Sequence, residues 1–155
     1  MVRPLAGELA ERLAEQKVDV VCGPLVEGAF VGLMVAEELD AEFGYSLRIE
    51  HPDRKDLFPV EYRVPEVLRA KLRGKRVAIV NDVINAGSAV RATMADLKAC
   101  GAELVALATL ATIGNSAAEI AQQYAVPLVS LATIAGEIWK PGHCPLCRDG
   151  VPITR

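Results

Sequence analysis

Residues 77–90 read VAIVNDVINAGSAV, and the order of residue types in this stretch decides the fold. Val77, Ala78, Ile79 and Val80 form the short apolar run of a fully buried strand. Asp82 stands where that run gives out. Asn85, Ala86, Gly87 and Ser88 are small and make a tight turn, after which Val90, Met94 and Leu97 recur at helical spacing. A strand ending in an acid, a turn of small residues and a helix start together outline an anion pocket. The N–H groups of the turn and the positive end of the helix dipole hold a phosphate. The acid beside them holds sugar hydroxyls or a metal ion. The stretch points to a protein that binds a phosphosugar or a nucleotide.

Working outward, Leu5, Leu9 and Leu13 repeat every four residues and predict an amphipathic helix. Val18 to Cys22 predicts a strand, broken by Gly23-Pro24. Ala29 to Ala36 is almost wholly apolar, and its length favours a buried helix. Tyr45 to Ile49 alternates as a strand does. Residues 51–59, HPDRKDLFP, combine two prolines with a charge cluster and predict an exposed, mobile loop. A short strand around Tyr62 and a helix from Glu66 to Leu72 lead back to residue 77. Gly101 ends the helix after the turn. Leu104 to Ile113 predicts a long strand, Asn115 or Ser116 caps a helix to Tyr124, and a last strand falls near Leu128 to Leu131. The tail, 135–155, predicts irregular structure. Strands alternating with helices imply an α/β fold, a central parallel sheet covered on both faces, as one domain over residues 1–155. Ligands of such sheets collect beyond the carboxyl ends of the strands, which places Asp82 and Gly23-Pro24 at one pocket. Read locally, Gly23-Pro24 is also compatible with a plain strand-to-helix turn.

The chain has 155 residues, 52% apolar and 24% charged, with a net charge of -3. That length suits one core. The charge argues against nonspecific binding to nucleic acid or an anionic membrane. No apolar run is long enough to span a bilayer. Glu8, Glu11, Arg12 and Glu15 among the first leucines argue against a signal peptide. Cys22, Cys100, Cys144 and Cys147 are too few and too unevenly spaced for a secreted disulfide framework, so reduced thiols in the cytoplasm are expected.

The stretch 77–90 resembles the phosphoribosyl-pyrophosphate (PRPP) motif of the type I phosphoribosyltransferases: four apolar residues, two acids, two apolar residues and a short loop. Here the acid pair is Asn81-Asp82 and the loop runs Asn85, Ala86, Gly87, Ser88, Ala89. The resemblance implies that Asn81 and Asp82 bind the ribose hydroxyls and the loop holds the 5′-phosphate. The first acid is an amide here, and Ser88 is the loop's only hydroxyl. CGPLVEGAFVGLMVAEEL, residues 22–39, resembles the pyrophosphate loop and helix of orotate phosphoribosyltransferases, with Gly23, Pro24, Leu25, Val26, Glu27 and Gly28 as the loop. Glu27 departs from the small residues usual there. An acid beside a diphosphate weakens binding unless Mg²⁺ intervenes. Residues 51–59 occupy the place of the family's catalytic loop and offer Arg54 and Lys55. The cysteine-containing tail, CPLCRDGVPI, also resembles some orotate enzymes. Two features speak against orotate itself. Only 17 residues precede Val18, so most of the family's N-terminal hood is expected to be missing. Residues 111–117, ATIGNSA, also lack the Arg that binds the base carboxylate.

The resemblance implies transfer of a phosphoribosyl group from PRPP to a pyrimidine or purine base, with Mg²⁺, release of pyrophosphate, and a homodimer. Asp82 would stabilise the positive charge developing at C1, Arg54 or Lys55 would hold the leaving pyrophosphate, and Asn85 faces the base. Two rival readings keep less of this. One is a noncatalytic sensor of PRPP or a nucleotide on the same fold, and the other an unrelated α/β enzyme for another phosphorylated ligand. Cys144 and Cys147, with His143 beside them, make half of a tetrahedral zinc site; no spacing within the chain supplies the other half, which leaves a symmetric dimer as the source of two halves. A tight turn of buried, reduced thiols without zinc is the expectation. Trp139 is expected to close the core beneath the tail rather than stack on a base.

Overall fold

The computed structural model describes residues 2–50, 60–137, 139 and 142–152. Six strands form one sheet in the order β3-β2-β1-β4-β5-β6. They are β1 (Val20–Leu25), β2 (Glu42–Glu50), β3 (Val60–Arg63), β4 (Arg76–Ile84), β5 (Glu103–Ile113) and β6 (Leu128–Ile134). All neighbours pair in parallel except β2 and β3, which are antiparallel. The expected parallel sheet therefore carries one antiparallel edge strand. The helices are α1 (Arg3–Leu13), α2 (Ala29–Glu38), α3 (Glu66–Leu72), α4 (Ser88–Ala99), α5 (Ser116–Tyr124) and α6 (Pro145–Arg148).

The sheet divides two cores, as alternation along each strand requires. Val77 and Ile79 of β4 join Val90, Met94, Leu97 and Ile120 on the α4 and α5 side. Ala78 and Val80 join Leu9, Leu13, Val31 and Val35 on the α1 and α2 side. α1 buries Ala6, Leu9, Ala10 and Leu13 while Leu5 stays 43% exposed. The buried stripe thus runs through the small alanines, which let α1 approach α2 closely.

Three boundaries differ from expectation. β1 runs through Gly23-Pro24 to Leu25 instead of breaking there. Its ladder to β4 ends at Cys22, so a residue without an N–H is tolerated at position 24. β4 continues past Asp82 to Ile84, and β6 reaches Ile134. The tail is not wholly irregular, because residues 145–148 form α6. Asn115 stands at the N-cap of α5 but makes no side-chain capping bond.

α3 and β3 are tied to α4 through one acid. Asp96 accepts from the Val64 N–H (2.8 Å) and from the Arg69 guanidinium (2.8 Å). Ser46 of β2 and Thr93 of α4 share a buried hydroxyl–hydroxyl hydrogen bond of 2.7 Å. These contacts hold the antiparallel edge against α4.

Candidate functional site

The turn between β4 and α4 is built around Gly87, which has φ +75° and serves as the N-cap of α4. L side chains avoid that region, so glycine is the residue that fits without strain. A Cβ here would also stand 2.3 Å from Ile120 Cδ1. None of residues 86–89 is buried. The turn leads directly into a twelve-residue helix, whose first N–H groups lack helical partners and point toward incoming ligand.

The facing wall is the turn between β1 and α2. The Leu25–Val26 peptide bond is cis. The Gly28 N–H donates to the Pro24 carbonyl at 2.8 Å, folding the turn back on its own strand. A Cβ on Gly23 would lie 2.7 Å from the Gly28 carbonyl carbon, and one on Gly28 would lie 2.2 Å from the Val80 carbonyl oxygen. Both glycines are needed because backbone meets backbone. Glu27 is thereby set into the cavity. The Tyr62 hydroxyl donates to Glu27 Oε1 at 2.5 Å. Burial first, then the Glu27 hydrogen bond and charge, push the Tyr62 phenol well above its ordinary range, with Arg48 pulling the other way. That phenol stays a donor.

Asn81 forms the floor. It is 4% exposed, and its Nδ2 donates to the Val83 carbonyl at 2.9 Å. Its Oδ1 has no hydrogen-bond partner, and neither does the buried Oε2 of Glu27. The cavity, of about 320 Å³, is lined by Glu27, Arg48, Tyr62, Asn81 and residues 83–90. The turn thus brings backbone N–H groups to the cavity, which suit a phosphate, and the remaining wall carries Glu27, Arg48, Tyr62 and Asn81. Among the described residues, no group of three or more His, Cys, Asp or Glu converges as a metal site.

The phosphoribosyl transferase domain model matches residues 1–144. The chain belongs to this family of transferases. Its relatives include the orotate phosphoribosyltransferase of Caldicellulosiruptor bescii, 29% identical over 97% of this chain and 72% of that one. The enzyme of the same name from Desulforamulus reducens is 30% identical with the same coverage. Among solved structures, the adenine phosphoribosyl transferase of Trypanosoma brucei, in complex with AMP, pyrophosphate and ribose-5-phosphate, aligns with a TM-score of 0.70. It is 18% identical, over 97% of this chain and 76% of that one. The orotate phosphoribosyltransferase of Aeropyrum pernix gives 0.63 at 23% identity, over 85% and 69%. At those identities the structures establish the family's fold.

Set on that fold, the expected site residues divide. Asn81, Asn85, Ala86, Gly87, Ser88, Ala89 and Glu27 line one cavity. Asp82, the acid expected to head the site, does not. Alternation puts it on the opposite face of β4 from Asn81, and its carboxylate accepts from the N–H of its own neighbour, Val83, at 2.6 Å. Gly23 and Pro24 are likewise absent from the lining and act through the turn they shape. Leu25 is half-buried, and Val26 is 64% exposed. Arg54 and Lys55 lie outside the described residues. Arg48 and Tyr62 line the cavity without having been expected there. Their signal was faint: each is one of several polar residues in its strand, and only the β3-β2-β1 order brings both to β4.

The tail also corrects an expectation. Cys144 is half-buried and Cys147 exposed, so these are not buried thiols. The Cys147 N–H donates to Cys144 Sγ at 3.5 Å, and that contact lowers the Cys144 thiol pKa, while the Cys144 side chain raises that of Cys147. Trp139 is 36% exposed rather than closing the core.

Proposed function

We propose that this chain binds PRPP, or a nucleoside 5′-monophosphate in the reverse direction, and transfers the phosphoribosyl group to a nucleobase with release of pyrophosphate. The observation that carries this reading is the cavity that joins the Gly87 turn to the side chains of Asn81 and Glu27. The 5′-phosphate sits on the N–H groups of residues 85–89. The ribose hydroxyls meet the Asn81 floor of the cavity. Asp82 supports the site from the far face of β4 by charge alone, and Asn85 reaches the base edge. Arg54 and Lys55 are proposed to hold the leaving pyrophosphate. Mg²⁺ would be held by the oxygens of Glu27 and Asn81 together with ligand oxygens, and would neutralise diphosphate charge. Positioning and electrostatics supply the catalysis.

The presence of an amide at 81 and an acid at 27 favours the alternative of a noncatalytic PRPP or nucleotide sensor on the same fold. Turnover separates the two. Thermal shift with PRPP, ribose 5-phosphate, AMP, UMP and orotidine monophosphate, each with and without Mg²⁺, tests the shared binding step. A ligand at 100 times its Kd adds about 2.7 kcal/mol of stability. If no phosphoribosyl ligand shifts the transition, the reading is wrong.

We also propose a homodimer. Leu25, Phe30, Leu33, Phe43, Tyr45 and Leu47 form an apolar surface of α2, β1 and β2, with Phe30 61% and Leu33 51% exposed. A monomer rarely leaves such a patch uncovered. Leu33→Glu should shift the species seen by sedimentation toward monomer. Cytoplasmic residence is part of the same reading. Among the described residues no helix is long and apolar enough to cross a membrane.

A further inference from the structure

We infer that Cys144 and Cys147 form a reversible dithiol–disulfide pair, a site of thiol exchange with small disulfides. Neither residue lines the cavity at the Gly87 turn, so the inference does not rest on the phosphoribosyl reading.

The pair is built into one turn. Residues 144–147 read CPLC. Pro145 opens α6 with its φ already fixed for a helix. The Arg148 N–H donates to the Cys144 carbonyl at 3.1 Å and closes the turn. Residues three apart across such a turn have Cα atoms within about 7 Å, and a disulfide spans about 4.4–6.8 Å. The two side chains also face each other, in hydrogen-bond contact through their sulfurs. The Cys147 N–H donates to Cys144 Sγ at 3.5 Å. A donor aimed at that sulfur favours its thiolate, which makes Cys144 the attacking thiol and Cys147 the resolving one.

Packing does not account for these cysteines. No residue of α6 is buried, whereas Cys22 and Cys100 belong to the core. Cys144 is half-buried and Cys147 exposed, so a small reagent reaches both. Stability does not account for them either, because closing so short a loop removes little chain entropy from the unfolded state. Among the described residues no third His, Cys, Asp or Glu converges with them to hold a metal ion. What remains is the chemistry of two adjacent, accessible thiols.

The exchange balances with a low-molecular-weight disulfide, RSSR, as oxidant. The Cys144 thiolate attacks one sulfur of RSSR, forms a mixed disulfide and expels RS⁻. The Cys147 thiolate attacks Cys144 Sγ, the Cys144–Cys147 bond forms, and the second RS⁻ leaves. The two thiol protons pass to the two thiolates released, and the chain gives up two electrons to RSSR. Excess RSH reverses each step.

The test equilibrates the full chain in mixtures of reduced and oxidised glutathione, quenches with acid, then unfolds, alkylates and weighs it. As the oxidised share rises, wild type should pass from four alkylatable thiols to two, without a lasting glutathione adduct and without linkage between chains. Cys147→Ser should stop at the adduct on Cys144. At about 0.1 mM free thiol it should lose that adduct at least about tenfold more slowly than wild type, because the resolving thiol is no longer intramolecular. Lasting adducts on wild type, a disulfide between chains, or four free thiols in every mixture overturns the inference. One zinc per chain or per dimer bound by these thiols in purified protein overturns it too. The wild-type masses decide the matter if the serine variant fails to fold.

Discussion

Gly28 lies flat against Asn81: a Cβ on the glycine would stand 2.6 Å from Asn81 Cα and 2.7 Å from its Oδ1. The β1–α2 turn and the floor of the cavity are therefore one packed unit. Gly28→Ala has to push β4 and the turn apart, and should destabilise the chain by about 1–3 kcal/mol. The same variant should bind phosphoribosyl ligands more weakly, because the displaced turn carries Glu27. Urea denaturation and titration with ribose 5-phosphate check the two effects. Wild-type values for both would show that the turn has room.

Asn81→Asp tests the missing acid. In the folded chain the new carboxylate replaces a donor that faces the Val83 carbonyl at 2.9 Å, at a position 4% exposed. The variant should lose about 1–3 kcal/mol of stability without ligand. If the native chain transfers phosphoribosyl, kcat should rise without a tighter KM, since negative charge near C1 stabilises the transition state and not the anionic ground state. Slower transfer by a folded variant would assign Asn81 a specific hydrogen-bonding role instead.

The alternation of strands and helices, the turn after β4 and the glycine that shapes it were legible because each is local. Val77 to Val80 with the turn after them admit few alternatives. Which of Asn81 and Asp82 enters the cavity was not legible from residue type, since the charged residue draws attention. It follows from strand parity: Asn81 shares a face with Val77 and Ile79, whose neighbours are α4 and α5. The length of β1 was misread because Gly23-Pro24 punctuates most sequences, yet here β2 supports the strand on one side through Leu25. Tyr62 and Arg48 needed the sheet order, which no local signal encodes.

Cys22 predicts an alkaline limit. Burial above all, with the charges of Cys100 and Asp96, pushes its thiol from 9.0 up to about 12. A group whose folded pKa is raised contributes stability that is fully present below its unfolded value and lost as pH rises toward the folded one. Stability should therefore fall between about pH 9 and pH 12. Cys22→Ala should flatten that fall, measured by denaturant midpoints across the range. An unchanged slope would place the alkaline loss on other groups.

Asp96 should be among the most sensitive positions outside the cavity. Asp96→Asn weakens the acceptor of both the Val64 N–H and the Arg69 guanidinium, leaving a partly buried cation underpaired. A loss of about 1–3 kcal/mol is expected. Thermal denaturation reads it directly, and a shift within about 0.5 kcal/mol of wild type would mean the contact is replaced by water.

The four thiols should separate by reactivity. Cys144 and Cys147 are accessible, whereas Cys22 and Cys100 are buried. A chromogenic disulfide reagent should titrate two thiols quickly and two only on unfolding. Replacing Cys144 and Cys147 with serine should abolish the fast phase. Four slow thiols in the native chain would mean that the tail is covered in solution. Zinc is not expected in purified protein, and metal analysis finding it near one per chain or one per dimer would reverse that expectation.

The hydrogen bond from Tyr62 to Glu27 gives the edge of the sheet a second role. β3 pairs over four residues and with β2 alone, and an edge strand with a single ladder is where amide exchange with solvent is fastest. One wall of the cavity is thus borrowed from an edge strand, while its floor belongs to β4, paired on both sides. A ligand that engages Glu27 should slow deuterium uptake at residues 61–63 far more than at 77–81, where little is left to slow. Occupancy of the cavity would be recorded at the rim of the fold, several strands away from the Gly87 turn.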